Sequence, residues 1–191
     1  MESPYERLGA VGKAKRLAEI FDKKSGNAVI VPMDDSLLSG PEGGLRDTKQ
    51  TLKLALAGGA NAVVGFRGLF TASVDLLDNV GCILNVTAST TRRDHTRKVQ
   101  VHSVKAAAQM CMSAVAVHMN HGSKFESDML CNLGRIAEEC DAHGLPLIAF
   151  MYPRSENKKG DENYLKLART DPEAYAARVR HAVRVAVELG A

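Results

Sequence analysis

Residues 146–154, with the sequence PLIAFMYPR, form a short apolar run that ends in a phenol, a rigid proline and a guanidinium. Apolar runs of about four to eight residues between turn signals are typical of strands that are buried on both faces. A strand here would present Tyr152 and Arg154 together at its carboxyl end. In α/β folds, that end of the sheet is the usual place for chemistry.

Four similar runs occur earlier in the chain, and a helix-like segment precedes or follows each of them. They begin near residues 28, 60, 82 and 114 and are rich in Val, Ile and Ala. This alternation predicts βα units with right-handed crossovers and a parallel sheet. Before the first strand, an amphipathic helix is predicted over 6–21, with one buried face formed by Leu8, Val11, Leu17 and Ile20.

The composition indicates one globular domain over residues 1–191, in which residues 1–25 carry the helix before the first strand. The 191 residues are 45% hydrophobic and 25% charged, as in ordinary globular proteins. No apolar run approaches the roughly 18 residues that span a bilayer, and the N-terminus lacks a signal-peptide apolar core. We therefore expect a cytoplasmic protein with no membrane partner. A net charge of +3 is too small to indicate a nucleic-acid partner.

One basic cluster stands out between the third and fourth predicted strands. It is formed by Arg92, Arg93, His95, Arg97 and Lys98. A solvated loop is the ordinary explanation for such a cluster. Attraction of an anionic ligand, or contact with a neighbouring subunit, is the alternative.

No metal or nucleotide cofactor is predicted. His118 and His121 flank Asn120, but no acidic residue lies at the spacing of a metal site. Neither a GxGxxG fingerprint nor a Walker A loop follows any predicted strand. Buried free thiols are expected at the four cysteines, which show no CxxC pairing: Cys82, Cys111, Cys131 and Cys140.

Polar side chains gather at the carboxyl ends of the predicted strands, whereas the opposite ends carry Gly, Asn and Ala. This asymmetry predicts a ligand-binding face, although loops also place polar residues after strands in proteins without such a face. We expect substrate contacts from five of these side chains: Asp35, Arg67, His118, Asn120 and Arg154.

Two strand ends carry groups that are suited to proton transfer. Asp34 and Asp35 are adjacent, so only one of them can point toward the ligand-binding face at the carboxyl ends of the strands. A desolvated carboxylate at that face acts as general acid or base. A helix cap is the competing role for this carboxylate. Tyr152 is a candidate proton shuttle beside the positive charge of Arg154, and packing against a loop is its alternative. Arg67 and Arg154 are each suited to bidentate binding of phosphate or carboxylate.

Several short motifs resemble those of the DhnA-type class I aldolases, and the similarity runs nearly from end to end. They are VPMD at 31–34, GP at 40–41, GL at 44–45, GGANAV at 58–63, VHMN at 117–120, GS at 122–123 and the stretch at 146–154. The branch of 2-amino-3,7-dideoxy-D-threo-hept-6-ulosonate synthases, and of relatives that condense aspartate semialdehyde, is especially similar. The MYPR strand end at 151–154 is the most specific of these matches.

The resemblance implies a (β/α)8 TIM barrel of the class I aldolase type, of which these residues hold about five βα units. It implies Schiff-base carbon–carbon chemistry, in which a lysine amine attacks a ketone and the imine serves as electron sink. The activity would be that of a lyase or transaldolase-type synthase without a cofactor. Its substrate would be a small phosphorylated sugar or keto compound, in aromatic amino acid or aminohydroxybenzoate-type biosynthesis. Asp34 and Tyr152 would be the catalytic acid–base pair, and the protein would form a ring-like, decamer-like homo-oligomer.

Two departures from the family qualify this expectation. The family's Met-Asp-His-Gly is Met33-Asp34-Asp35-Ser36 here, which replaces an imidazole by a second carboxylate. The resemblance also implies a Schiff-base lysine on a sixth strand, which these 191 residues do not include. We therefore expect an incomplete barrel with an apolar opening along its first and fifth strands, and no Schiff-base activity from residues 1–191 alone.

Two alternatives stay open from the sequence. A catalytically inactive barrel fragment retained for binding or assembly would carry the same motifs. An unrelated open α/β sheet that binds phosphate would carry the same alternation. The order of strands in the sheet separates this second alternative from a barrel, because a barrel keeps its neighbours in chain order.

Overall fold

A computed structural model describes residues 4–157, 160–161 and 164–191, with side-chain environments for 9–156 and 166–191. Its helices are α1 (Pro4–Ile20), α2 (Asp35–Ser39), α3 (Thr48–Ala57), α4 (Arg67–Ala72), α5 (Val104–Gln109), α6 (Glu126–His143), α7 (Tyr164–Thr170) and α8 (Pro172–Glu188). Its strands are β1 (Ile30–Pro32), β2 (Ala62–Gly65), β3 (Gly81–Asn85), β4 (Thr87–Ala88), β5 (Val99–Gln100), β6 (Ala114–Asn120), β7 (Leu147–Tyr152), β8 (Glu156–Asn157) and β9 (Gly160–Asp161). Single 3-10 turns occur at Gly43–Arg46 and Val74–Leu76.

Five of these strands form one parallel sheet in the order β1-β2-β3-β6-β7. Each strand thus pairs with the next sheet strand along the chain, as in an arc of a barrel. A doubly wound open sheet would reverse its strand order at a switch point. The predicted parallel βα arrangement is confirmed, and the open-sheet alternative is wrong.

Side chains alternate between the two faces of this sheet and enter two separate apolar clusters. The outer cluster joins Val63, Leu84 and Val115 to helix residues such as Leu133 of α6. The inner cluster is made mostly of small and branched residues, namely Ala62, Val64, Ile83, Ala114 and Ala116, together with Ile20 of α1. Because the period of a strand is two, one parity of each strand faces inward along its whole length.

The amino-terminal end of the inner face is closed by α1. Ile20 is 1% exposed, and a Cβ added at Gly81 would lie 3.0 Å from its Cγ1 atom. Burial of an isoleucine side chain of this kind stabilises the fold by about 2 kcal/mol. Any ligand site on the inner face must therefore open at the carboxyl ends of the strands.

The predicted apolar face of α1 is wrong at Val11 and Leu17 and confirmed at Ile20. Val11 is 60% exposed and Leu17 is 39% exposed, and the side chain of Leu8 lies outside the described residues. The helix packs through close backbone contact instead. A Cβ at Gly12 would lie 2.9 Å from the carbonyl oxygen of Gly144.

Several short elements lie outside the predicted alternation of sheet strands and helices. They are α2, α7 and the paired strands β8 and β9, with residues 158–159 outside the described part. Between β2 and β3, the short helix α4 is followed by a 3-10 turn. The long helix α6 ends at Gly144, which has a left-handed φ of 61°.

The apolar opening predicted along the outer strands is present. Val29 is 57% exposed and Ile30 is 37% exposed beside β1, and the residues of β7 are at most half-buried. The residues of β2 and β3 are all buried. Among the helices of the described residues, none combines the length and the apolar character that a membrane crossing requires.

The cysteines are free, but only two of them are buried as predicted. Cys82 and Cys140 lie in the core, whereas Cys111 and Cys131 are exposed. Burial raises the pKa of the Cys82 thiol to about 11 and that of the Cys140 thiol to about 12. Both buried thiols are therefore in the protonated form at neutral pH.

Candidate active site

Asp34 lies directly after β1 at the carboxyl end of the sheet, and its side chain is buried. It occupies the residue before α2, but its side chain makes no capping hydrogen bond to that helix. Instead, Nδ2 of Asn85 donates to Oδ2 of Asp34 at 2.7 Å. The carboxylate is thus directed to the inner face and away from the helix-cap role.

Asn85 connects this carboxylate to the neighbouring strands. Its side chain is fully buried, and its Oδ1 accepts from the Thr87 N–H at 3.1 Å. Oγ1 of Thr87 in turn accepts from the backbone N–H of His118 at 2.8 Å. Since the amide must place its NH₂ toward the carboxylate and its oxygen toward an N–H, this network fixes its orientation.

The imidazole of His118 lies between Asp34 and the aromatic end of β7. Its Nε2 is 3.9 Å from Oδ2 of Asp34. The ring packs 4.7 Å from that of Phe150 and 5.8 Å, edge to face, from that of Tyr152. His118 therefore links the two residues that the sequence predicts as the acid–base pair.

The environment of His118 disfavours a second proton on its ring. Burial is the largest cause and lowers the pKa of His118 to about 4. The positive charges of Lys98 and Arg154 act in the same direction, and the carboxylate of Asp35 opposes them. At neutral pH the ring is uncharged, so it offers one N–H donor and one lone pair.

Tyr152 and Arg154 lie together at the rim of the site. Tyr152 ends β7 and is 37% exposed. The guanidinium carbon of Arg154 lies 5.6 Å from the centre of the Tyr152 ring. Its Nη1 is 3.2 Å from Nε2 of His95. The rim therefore combines a phenol with a positive charge, as the sequence predicts.

Asn120 carries a buried oxygen without a hydrogen-bond partner among the described residues. The residue is 1% exposed, and its Nδ2 donates to the carbonyl oxygen of Thr96 at 2.7 Å. Its Oδ1 has no hydrogen-bond partner among the described residues. A buried polar atom left unpaired in this way costs about 1–3 kcal/mol, and such costs concentrate at functional sites. This oxygen can accept from a hydroxyl group of a bound molecule.

One of the predicted residues, Arg67, lies apart from this group. Arg67 is exposed in the first turn of α4, where its charge, after burial, is the second cause that lowers the pKa of His102. β2 ends at Gly65, so Arg67 belongs to a helix and does not continue the inward row of the strand. Asp35 is exposed in the first turn of α2, at the edge of the site.

Sequence reasoning missed the loop that covers one side of the site, residues 89–98. Thr96 is 2% exposed and Lys98 is 6% exposed, so the solvated loop predicted for the basic cluster is wrong at its end. The backbone N–H of Thr91 donates to the Leu38 carbonyl at 3.0 Å. The sequence signal was the series of hydroxyl residues among the basic ones, which supplies partners for a folded loop.

Glu156 of β8 anchors the same loop from the far side. Its carboxylate accepts from the hydroxyl of Thr96, from Ser123 Oγ at 2.6 Å and from the Lys124 N–H at 2.8 Å. Burial raises the pKa of Glu156, but these hydrogen bonds outweigh burial and the pKa is lowered overall. The covering loop is thus tied to the ends of both β6 and β7.

A small cavity of about 20 Å³ lies at the centre of this group, which is room for about one water molecule. Its polar lining comes from Asp34, Asp35, Asn85, Thr87, Ser89, Lys98 and His118. A larger cavity of about 620 Å³ lies at the opposite end of the sheet, beside Glu19, Cys82 and Ser113. The smaller cavity is the one that Asp34 and His118 line, and Tyr152 lies outside its lining.

Comparison with known proteins identifies relatives over most of the chain. Residues 28–191 match the DeoC/LacD family aldolase. The 2-amino-3,7-dideoxy-D-threo-hept-6-ulosonate synthase 1 of Archaeoglobus fulgidus is 33% identical over 183 residues, covering 95% of this chain and 63% of the relative. The 2-amino-4,5-dihydroxy-6-oxo-7-(phosphonooxy)heptanoate synthase of Streptomyces griseus is 29% identical, covering 94% and 62%.

The fold comparison agrees with the sequence comparison. A solved structure of a Schiff base-forming fructose-1,6-bisphosphate aldolase matches with a TM-score of 0.75 at 29% identity, covering 94% of this chain and 68% of that chain. An archaeal fructose 1,6-bisphosphate aldolase matches with a TM-score of 0.72 at 28% identity. The predicted barrel class is confirmed, and the described residues form an incomplete barrel. The chain spans slightly less than two thirds of the length of the curated relatives it matches.

Proposed function

Because the chain belongs to the DeoC/LacD family of aldolases, we propose that it carries the acid–base side of a Schiff-base aldolase site. The substrate class is a small phosphorylated sugar or keto compound. The observation that carries this proposal is the group formed by Asp34, Asn85, His118 and Tyr152 at the carboxyl ends of the strands. The names of the relatives and of the solved structures support the same chemistry.

Proton transfer is the task that suits this group. In Schiff-base aldol cleavage, a base removes the proton of the hydroxyl group, and the carbon–carbon bond of the carbon that bears this hydroxyl then breaks. An acid afterwards protonates the enamine carbon. Asp34 is desolvated and held by Asn85, so its carboxylate has a fixed direction. Tyr152 stands at the exposed rim and is the second proton carrier. The uncharged ring of His118 bridges the space between them.

Substrate positioning falls to the polar groups around this pair. Arg154 offers a guanidinium that suits a phosphate or carboxylate group. Oδ1 of Asn120 accepts a hydrogen bond from a substrate hydroxyl. Asp35 and Arg67 stay predictions as substrate contacts at the rim, since both are exposed.

The finer assignment is a condensation of the type that the relatives' names describe. A 2-amino-6-oxo-7-(phosphonooxy)heptanoate skeleton carries an amino acid at one end and a phosphate at the other. Joining aspartate semialdehyde to a triose phosphate unit produces such a skeleton, and we propose this reaction class in amino acid biosynthesis. A cytoplasmic homo-oligomer remains part of the same proposal.

Borohydride trapping tests the proposal. The native polypeptide that contains these residues is incubated with fructose 1,6-bisphosphate or a triose phosphate, reduced, and mapped by mass spectrometry. We expect a reduced adduct on a lysine outside residues 1–191, and none on residues 1–191 produced alone. An adduct on any lysine of these 191 residues would contradict this assignment.

Variants of the acid–base pair separate proton transfer from imine formation. D34N and Y152F should each lower turnover of the native polypeptide by about 10²–10⁴-fold while the trapped adduct still forms. D78N, at an exposed aspartate beside the distant cavity, is the matched control. A native polypeptide with neither adduct nor turnover would instead support an inactive domain for binding or assembly.

A further inference from the structure

Lys98 is buried at the edge of the candidate site, although lysine is among the residues that proteins bury least often. Its Nζ donates to Ser89 Oγ at 2.7 Å, and that hydroxyl donates to the His95 carbonyl oxygen at 2.6 Å. The ammonium is therefore held in place by the covering loop.

The burial of Lys98 is matched by that of Asp34. These are the two charged side chains in the core of the described residues, and both line the cavity of about 20 Å³. Burial of an isolated charge is costly, and an opposite charge within the same site offsets part of that cost. Lys98 and Asp34 thus place opposite charges around the same small cavity.

Lys98 is poorly placed to form the imine itself. Imine formation needs an uncharged amine that can reach a ketone carbon. The cavity beside Lys98 holds about one water molecule and excludes a sugar. Its effect must therefore be exerted on its neighbours.

The neighbour most affected is His118. The titratable and charged groups that face this ring are Asp34 and Asp35 after β1, Lys98 before β5, and Tyr152 and Arg154 at the end of β7. After burial, Lys98 is the largest cause that lowers the pKa of His118, ahead of Arg154.

We propose that Lys98 is a positioning residue of the candidate site, whose fixed ammonium determines which side chains around the small cavity carry charge. With the Lys98 ammonium in place, the His118 ring stays uncharged and does not take up the proton. Proton transfer is therefore carried out by Asp34 and Tyr152. The transfer step rests on the proposed function. The electrostatic part concerns residues of this chain alone and is measurable without substrate.

NMR titration of the His118 ring in the native polypeptide that contains these residues tests the proposal, with H118N for assignment. K98M should move the midpoint upward from about 4 toward that of an ordinary histidine, by about one pH unit. K98R should restore the low midpoint, because it keeps the charge. R154M should produce a smaller rise than K98M, and K105M, at an exposed lysine of α5, should produce none.

Circular dichroism of each variant establishes that the fold is intact. If K98M does not fold, S89A tests the proposal instead. This variant keeps the charge of Lys98 but removes the hydroxyl that holds it, so the midpoint of His118 should rise by less than is expected for K98M. An unchanged midpoint in a folded K98M, or equal shifts in K98M and K98R, would overturn the proposal. Neither result depends on aldolase turnover, so failure here is distinguishable from failure of the proposed function.

Discussion

Two histidines at the end of β6 have opposite environments although they are only three residues apart. His118 lies on the inner face, where its Nε2 is 3.9 Å from Asp34 and burial lowers its pKa to about 4. His121 lies on the outer side, where its Nδ1 contacts Glu126 and its Nε2 is 3.1 Å from Nδ1 of His181. The inner ring belongs to a site, and the outer ring joins helices α6 and α8 to the end of the strand.

Strand parity is the reason for this difference. Ala114 and Ala116 face the inner cluster, so His118 and Asn120 continue the inward row, whereas His121 falls on the other parity. The same rule puts Asn85 in line with Ile83, and Tyr152 in line with Ile148 and Phe150. Whether a strand residue reaches the site therefore depends on which face of the sheet its side chain points to, and not on whether the side chain is polar.

Disrupting the inner group, formed by Asp34, Asn85 and His118, should lower the stability of the fold more than disrupting the outer group around His121. The largest loss is expected at Asn85. Asn85→Ala removes the donor to a buried carboxylate and the acceptor for Thr87. We expect the free energy of unfolding to fall by about 3 kcal/mol. Urea denaturation measures this loss, with N27A in an exposed turn as the control. A loss of the same small size in both variants would show that the inner network does not stabilise the fold.

The pH dependence of stability is the second contrast. The folded-state pKa of His118, about 4, lies below its ordinary value of 6.5, so the unfolded chain takes up the proton first as pH falls. The contribution of His118 is fully present above pH 6.5 and is lost between pH 6.5 and 4. We expect this loss to be about 2 kcal/mol after allowance for the partial exposure of the ring.

Urea denaturation at several pH values, compared with the same series for H118Q, isolates this term. The variant keeps a polar side chain but cannot titrate, so its stability should fall less over this range. Parallel curves for the two proteins would mean that His118 does not take up the proton on unfolding.

Disrupting the outer group, formed by His121, Glu126 and His181, should cause the smallest loss of stability. His181 is exposed on α8, so H181A should lower the free energy of unfolding by only about 0.5 kcal/mol. V183A, at an exposed residue of the same helix, should not lower it. Thermal denaturation followed by circular dichroism measures both. A larger loss in H181A than in N85A would reverse the ranking of the two groups.

Much of the site was predictable because it depends on strand alternation and strand order. The apolar runs identified β1, β2, β3, β6 and β7, and the polar residues at strand ends identified Asp34, His118, Asn120 and Tyr152. Arg67 was misjudged because it was treated as a strand end, whereas it begins helix α4. The hydrogen bond from Asn85 to Asp34 could not be predicted, because it depends on the register between strands that are distant in sequence.

Local pattern alone determined that this chain alternates strands and helices, and which residues end each strand. Periodicity is a property of neighbouring residues, so the sequence contains it directly. The tertiary structure decided the rest: the glycine contact of α1, the folded covering loop, and the burial of Lys98 beside Asp34. These depend on which distant groups meet, since a charge or a hydroxyl is buried only where a partner from another element offsets its desolvation.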